Sequence, residues 1–282
     1  MGDIKMVNYS LLPLSLVLLF VFSSTAQPTG ERPNNSFYEH KTIRENRPVE
    51  LAPVREADVF WSKRIWQNID VRLTMNQPLY FPEEPSGDYR SLMKVLEDAI
   101  REGKIRAYDV DDEHFRGEPL DPDELFERLS RSVTFMEDDQ EVTVDIPFNP
   151  AQVIRFRIKE EWFIDKRRSQ LDVRIIGLSP AREAVDEITG EFLGFEPLFW
   201  LPFAEIREVL ATAPVYMRHN DKQQLSFDDF FIRRFFDATI YREDRPDNRV
   251  ISEYIEDPHE QLLEAQRIKE QIRNMELDMW HY

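Results

Sequence analysis

An acidic stretch in the middle of the sequence holds the residues whose type and spacing come closest to a chemical site. Asp109, Asp111 and Glu113 stand at alternate positions, as calcium ligands do at the start of an EF-hand loop. The pattern fails further on, because His114 replaces the glycine that the turn requires and Leu120 replaces the closing glutamate. The sequence therefore predicts a solvated acidic loop and no calcium site.

Other motifs for catalysis or cofactor binding are missing from the sequence. The five histidines lack the spacing that places two imidazoles on one metal ion. Gly177-Leu178-Ser179 is only half of a nucleophile elbow, and because Pro180 follows, Ser179 is predicted to be a turn residue. The chain has only eight glycines and contains no Gly-rich phosphate-binding loop. These observations favour a protein that is not an enzyme and uses no metal or cofactor.

The N-terminal segment has the pattern of a secretory signal peptide. Lys5 precedes an apolar run of 12 residues, Leu11 to Phe22, and the small residues Ser24 and Ala26 follow it. The run is shorter than the roughly 20 residues that a membrane-spanning helix needs. We therefore expect residues 1–26 to be removed when the chain is exported.

The amino-acid composition of the chain limits which interactions can stabilise the fold and which kinds of partner the protein can bind. The chain has no cysteine, so we expect no disulfide, no thiolate zinc site and no lipid anchor on an N-terminal cysteine. Stability must then come from a packed core. The net charge of −18 disfavours nucleic acid and anionic lipid as partners. We expect no nucleic-acid binding, and membrane association only through protein partners.

Four prolines in a polar background predict an extended arm over residues 27–54. The arm fits either a disordered linker or an ordered strap that lies across a neighbouring subunit. A globular core is expected over residues 55–250 and a helical segment over residues 251–282.

Apolar periodicity and capping residues predict the helices. Apolar residues four apart predict a first core-facing helix from Glu56: Ala57, Trp61, Ile65, Ile69 and Leu73. Capping residues, and glycine or proline at helix ends, predict five further helices. Two have predicted bounds, Ser91–Glu102 and Ala204–Ala211, and three are predicted to begin after Asp121-Pro122, after Ser226 and after Asp257-Pro258.

Alternating residues predict the strands. Ile154, Phe156 and Ile158 alternate with basic residues, and Leu171, Val173 and Ile175 alternate with Asp172 and Arg174. This pattern predicts an antiparallel pair. Weaker signals predict strands over Ile105–Val110 and Pro197–Phe203 and a turn at Thr189-Gly190. The expected fold class is α+β, an antiparallel sheet packed with helices, with an extended N-terminal arm and a long C-terminal helix.

Two features suggest partner-binding surfaces. Arg155, Arg157 and Lys159 share the side of a strand opposite the apolar residues, and Arg174 lies on the paired strand. This basic stripe would meet an acidic surface on another copy, or it balances charge within the chain. In the C-terminal helix, spacings of three and four predict an a/d seam that packs on the protein's own core or on a neighbouring helix: Ala265, Ile268, Ile272, Met275 and Met279, with Trp280 extending it.

Several long blocks, in order along the chain, resemble the GldN/PorN family of the Bacteroidetes type IX secretion system. The blocks are Arg55–Trp66, Asn76–Tyr80, Val173–Gly177, Leu198–Trp200, Ser226–Asp229, Arg267–Glu270 and Leu277–Trp280. Co-linear blocks are far more specific than one short motif.

The resemblance implies a periplasmic, non-catalytic subunit of the secretion and gliding-motility machinery. Such a subunit pairs with an outer-membrane lipoprotein, GldK/PorK, in a ring that includes self-association, and contacts GldM/PorM. The alternative is a periplasmic hydrolase or ligand-binding protein whose site arises from residues far apart in sequence. A deep pocket lined by carboxylates of shifted pKa, or by His219, would favour that alternative.

Overall fold

An antiparallel sheet organises the part of the chain that the computed structural model describes, residues 43–137, 140–186, 189–217 and 225–279. The expected signal segment, arm residues 27–42, His219 and Trp280 lie outside these ranges. The strands are Val59–Asp70 (β1), Arg131–Glu137 (β2), Gln140–Ile146 (β3), Val153–Asp165 (β4), Gln170–Val185 (β5), Phe192–Pro197 (β6), Leu201–Pro202 (β7) and Thr239–Glu243 (β8). The sheet order is β6-β5-β4-β1-β8 with β7 beside β5, while β2 and β3 form a separate two-stranded ribbon.

Five α-helices accompany the sheet in the described ranges. They are Leu92–Arg101 (α1), Pro122–Leu129 (α2), Phe203–Thr212 (α3), Phe227–Ile232 (α4) and Pro258–Met279 (α5). Short 3₁₀ turns lie at Ile43–Glu45, Glu56–Asp58, Gln77–Leu79, Pro150–Gln152 and Ile251–Glu253. The predicted α+β class and the long C-terminal helix are confirmed.

Local sequence sets the ends of these helices. The Ser91 hydroxyl accepts a hydrogen bond from the Lys94 N–H at the start of α1. Gly103 adopts φ of +68°, and its N–H and that of Lys104 donate to the Ile100 and Ala99 carbonyls. This is a Schellman motif, in which glycine takes the left-handed position at the least cost. The Asp121 and Ser226 side chains cap α2 and α4 in the same way as Ser91 caps α1.

The segment predicted as the first helix is the long strand β1, so that prediction was wrong. A four-residue spacing is also a multiple of the strand period of two, and Ile65 and Ile69 lie on one face of the sheet. Trp66 is buried as well, but on the other face. Because β1 lies between β4 and β8, both of its edges are hydrogen-bonded, and separate clusters cover its two faces.

Three smaller predictions also needed correction. Ile105–Val110 is not a strand, since it joins the sheet only through an isolated bridge between Tyr108 and Trp200. Ser179 is fully buried within β5 and is not a turn residue. The run Pro197–Phe203 contributes only the two-residue strand β7 before α3 begins. The sequence patterns missed β8 and the β2–β3 ribbon altogether.

The two faces of the sheet carry different cores. One face packs on α1 to α4 through residues such as Phe156, Ile158 and Leu178. The same face continues into a second cluster beneath α5, around Ile65 and Trp162. The opposite face carries a small aromatic cluster that includes Trp66, Tyr108 and Trp200. Near this cluster Gly177 is required, because an added Cβ would lie 2.9 Å from the Phe115 ring.

Candidate interaction surfaces

The predicted basic stripe lies on one face of β4, as the alternation indicates. Arg155, Arg157 and Lys159 stand opposite Asp70, Asn68 and Trp66 of β1 in the antiparallel register. All three therefore occupy the face that carries the aromatic cluster.

Lys159 is buried, with 1% of its surface exposed, and it contacts the acidic loop that follows Tyr108. Its ammonium group donates to the Glu113 carbonyl at 2.8 Å and lies 2.7 Å from the His114 Nδ1 atom. The amine also lies 5.5 Å from the centre of the Trp66 ring. Burial lowers the pKa of Lys159 to about 8, against the attraction of the Glu113 carboxylate. Lys159 thus anchors a loop of its own chain.

The acidic loop was predicted to be solvated, and the structure contradicts this at Glu113. The Glu113 carboxylate accepts a hydrogen bond from the Trp66 indole N–H at 3.1 Å and forms an ion pair with Arg242. Burial and the neighbouring charge of Lys159 lower the pKa of His114. No group of three or more histidine and carboxylate side chains in the described ranges is arranged to hold a metal ion.

Arg155 and Arg157 are also used within the chain. The Arg155 guanidinium stacks 3.3 Å from the centre of the Phe195 ring and pairs with Asp70 at 3.2 Å. Arg157 donates to the Phe195 carbonyl at 3.1 Å and lies over the Tyr241 ring. Of the two interpretations of the stripe, the contacts of Arg155 and Arg157 are those of the intramolecular one.

Arg174 lies apart from the stripe and holds the arm. It pairs with Asp172 at 3.2 Å and donates to the Ala52 carbonyl at 3.1 Å. A second anchor lies nearby in the arm sequence, where Val49 bonds through its N–H to the buried Asp228 carboxylate and through its carbonyl to Arg207. Residues 43–54 of the predicted arm are thus held on their own domain.

The C-terminal seam packs mainly on the protein's own core. Ala265, Ile268 and Ile272 lie on the side of α5 that packs on the sheet, and they are buried against Ile65 and Trp162. Met275, one turn further on, is 36% exposed, whereas the Met279 and Trp280 side chains lie outside what the structure describes. No described helix is both long and apolar enough to cross a membrane.

A comparison with protein families matches residues 54–281 to the family described as gliding motility associated protein GldN. The match covers most of the chain, from the end of the arm to the C-terminal helix. The chain belongs to the GldN family. No curated protein matches it in sequence.

A buried carboxylate of this GldN-family protein escaped the sequence patterns. Glu160 is fully buried where the two clusters of the sheet face meet. Its oxygens accept hydrogen bonds from Arg234 at 2.6 Å, from the Gln67 amide at 2.5 Å and from the Trp162 indole at 2.9 Å. These donors compensate the buried charge. The only sequence signal was an acidic residue that interrupts an apolar alternation.

The Asp228–Arg207 pair of this GldN-family protein was also missed. The two side chains are joined by two hydrogen bonds of 2.8 and 3.0 Å, and Asp228 is nearly inaccessible. Asp228 lies within the Ser226–Asp229 block that resembles the family, but no local pattern distinguishes it from Asp229, which is only partly buried. Its role depends on where the arm passes over α3 and α4.

A groove of about 590 Å³ runs beside α5 in this GldN-family protein. Its lining includes Trp162, Leu171 and Ile240 on the sheet side and Lys269 and Arg273 on the helix. The groove is open and of mixed polarity, which fits a protein contact better than an enclosed substrate site.

Proposed function

We propose that this chain is a periplasmic, non-catalytic structural subunit of the type IX protein secretion and gliding-motility machinery. In this role it forms a ring complex with the outer-membrane lipoprotein GldK/PorK, contacts GldM/PorM and reaches the membrane only through its partners. Membership of the GldN family over residues 54–281 carries the proposal.

Two properties of the sequence support the proposed location. The segment of residues 1–26 has the charged, apolar and small-residue parts of a signal peptide. The net charge of −18 opposes direct binding to an anionic membrane surface. An exported, acidic protein of this kind needs a protein partner to stay at the outer membrane.

Co-expression with the lipoprotein tests the assembly role. The two proteins, solubilised in detergent, are analysed by size-exclusion chromatography with light scattering, and the chain expressed alone serves as the control. We expect a large ring-sized complex only when both proteins are present. Elution of the pair as separate monomers would refute the ring role.

Cell fractionation tests the location. The mature chain should appear with periplasmic and outer-membrane fractions, and should leave the outer-membrane fraction when the lipoprotein gene is deleted. Retention of the mature chain in the cytoplasm would refute the proposal.

A further inference from the structure

The acidic loop, residues 109–119, lies over the aromatic cluster of the sheet and has closed ends. The Leu120 N–H donates to the Ala107 carbonyl at 2.8 Å, so the chain leaves the loop close to where it entered. Just before the loop, the backbones of Tyr108 and Trp200 exchange hydrogen bonds of 2.8 and 2.9 Å. A compact loop with anchored ends can leave the surface locally, without unfolding the domain.

Two tryptophan indoles hold the acidic loop against the sheet. The Trp66 N–H donates to the Glu113 carboxylate at 3.1 Å, and the Trp200 indole N–H donates to the Val110 carbonyl at 3.1 Å. Both donors belong to the sheet and both acceptors belong to the loop. The two indole N–H groups are therefore direct indicators of whether the loop is in place.

His114 joins the acidic loop to the centre of β4. Its Nδ1 atom lies 2.7 Å from the ammonium group of Lys159. Below pH 8 this ammonium group has only donors to offer, so Nδ1 accepts the hydrogen bond and the proton of the neutral imidazole lies on Nε2. A second proton binds at Nδ1, the atom that Lys159 occupies. Protonation of His114 and its contact with Lys159 therefore exclude each other.

The surroundings of His114 oppose a second proton on the closed loop. The charged groups that face the site come from β4, β1, β8 and the loop itself: Lys159, Arg64, Arg242, Asp112, Glu113 and Arg116. Contact with the sheet removes water from part of the imidazole, and this desolvation and the charge of Lys159 lower the pKa of His114, against the attraction of Glu113. The residue as a whole is exposed, so a proton reaches it directly from water.

We propose that the acidic loop is an acid-sensitive lid, which leaves the sheet when His114 takes a second proton and thereby uncovers Trp66 and Lys159. These two residues are 3% and 1% exposed beneath the closed loop. Opening separates two cations that would otherwise lie 2.7 Å apart, and it allows water to hydrate both. The lid goes beyond the proposed assembly role and is independent of it.

The direction of the effect follows from the protons bound in each state. The closed loop lowers the pKa of His114 from its ordinary value of 6.5, so the open loop binds more protons than the closed loop below that pH. Closure is therefore fully favoured above pH 6.5 and is lost progressively as the pH falls below it. Because a single proton is involved, the opening constant rises by at most about tenfold per pH unit.

Hydrogen exchange of the indole N–H groups tests the lid, measured by NMR on the mature chain with 15N-labelled tryptophan. Trp162 is the internal reference, since its indole donates to Glu160 and it packs on the opposite face of the sheet. We expect the exchange rates of Trp66 and Trp200, each divided by that of Trp162, to rise between pH 7.5 and pH 5.5. The rise should be up to about tenfold for each pH unit below 6.5.

Three variants separate the titration of His114 from other effects of acid. His114→Asn keeps an acceptor oxygen near the place of Nδ1 but does not titrate, so its ratios should be low and equal at both pH values. His114→Lys carries a permanent charge and should raise the ratios already at pH 7.5. His259→Asn is the matched control, because His259 is exposed at the start of α5, and it should keep the pH dependence of the unaltered chain.

Equal ratios at the two pH values in the unaltered chain would overturn the lid. The same conclusion would follow if the pH dependence survived in His114→Asn, or if His114→Lys matched the unaltered chain at pH 7.5. Parallel acceleration at Trp162 would leave the ratios unchanged and would mean that acid opens the whole domain. These experiments use the chain alone, so the assembly with the lipoprotein keeps its own test.

Discussion

Reversing the charge of Lys159 should destabilise the fold itself. The ammonium group is buried against the Glu113 carbonyl and His114, and a carboxylate in its place would lie against the Glu113 carbonyl oxygen, to which it cannot donate a hydrogen bond. Breaking a buried charged contact in this way costs about 3–5 kcal/mol. That is a large fraction of the 5–15 kcal/mol by which domains are typically stable.

Urea denaturation at pH 7 measures this effect. With a slope of about 2–3 kcal/mol per molar urea, Lys159→Glu should lower the midpoint by about 1 M or more. Lys104→Glu is the matched control, because Lys104 is 63% exposed and its reversal should cost less than about 0.5 kcal/mol. Equal midpoints for the two variants would refute the buried role of Lys159.

Lys159→Met separates the charge from the packing. Lowering the Lys159 pKa from 10.5 to about 8 disfavours the charged form by about 3 kcal/mol, so the methionine variant should lose much less stability than the glutamate variant. Between pH 8 and 10.5 the unfolded state binds more protons at this residue than the folded state. The stability of the unaltered chain should therefore rise with pH relative to Lys159→Met in that window. A constant difference between the two proteins across the window would contradict the cause assigned to the pKa.

Three further predictions concern the arm, the sheet and the C-terminal helix. Asp228→Asn leaves Arg207 without its buried partner, so we expect a loss of about 3 kcal/mol in chemical denaturation and faster proteolysis within residues 43–54. Burial favours the protonated form of Asp70, but hydrogen bonds from Arg72 and Arg155 outweigh it and lower the pKa to about 2. The stabilisation present above pH 3.8 should thus be lost as the pH falls towards 2, and a denaturation series should show no such loss in Asp70→Asn. Ile268→Ala should cost about 2–5 kcal/mol and Met275→Ala less than about 1 kcal/mol in thermal or urea unfolding, because only Ile268 is fully packed.

Each of these three predictions would be contradicted by one specific result. Unchanged proteolysis of Asp228→Asn would show that the arm is held by other contacts. Parallel acid denaturation of the unaltered chain and Asp70→Asn would remove Asp70 from the acid transition. Equal losses for Ile268→Ala and Met275→Ala would mean that α5 packs differently from the seam described.

Sequence reasoning was most successful where the signal is local. Ser91, Asp121 and Ser226 begin helices because a side-chain oxygen satisfies a nearby backbone N–H, and that contact spans only a few residues. The alternation around Phe156 predicted the β4–β5 pair for the same reason, since neighbouring positions alternate between the two faces of a strand. Gly103 ended α1 as predicted.

The contacts of the candidate surfaces could not be predicted from the sequence, because the burial of a residue depends on segments that are far from it along the chain. The basic residues of β4 share one face, as predicted, but nothing in their spacing indicates that the loop around Glu113 covers Lys159 from 46 positions away. The same limit applies to Glu160, whose donors include Arg234. The spacing of charged residues in a strand predicts which face of the strand they occupy. The residues that they contact on that face are determined by the tertiary fold.

The sequence by itself thus determined the export pattern, the capped helices, the central strand pair and the resemblance to the GldN family. Only the tertiary structure decided that residues 59–70 form a strand, since a spacing of four fits both a helix and a strand until neighbouring strands supply hydrogen bonds on both sides. It also decided that the basic stripe makes its contacts within the chain, with Asp70, the Phe195 carbonyl and the Glu113 carbonyl. Contacts between segments far apart in sequence determine burial, and burial decides whether a charged residue stabilises its own fold or remains free to meet a partner.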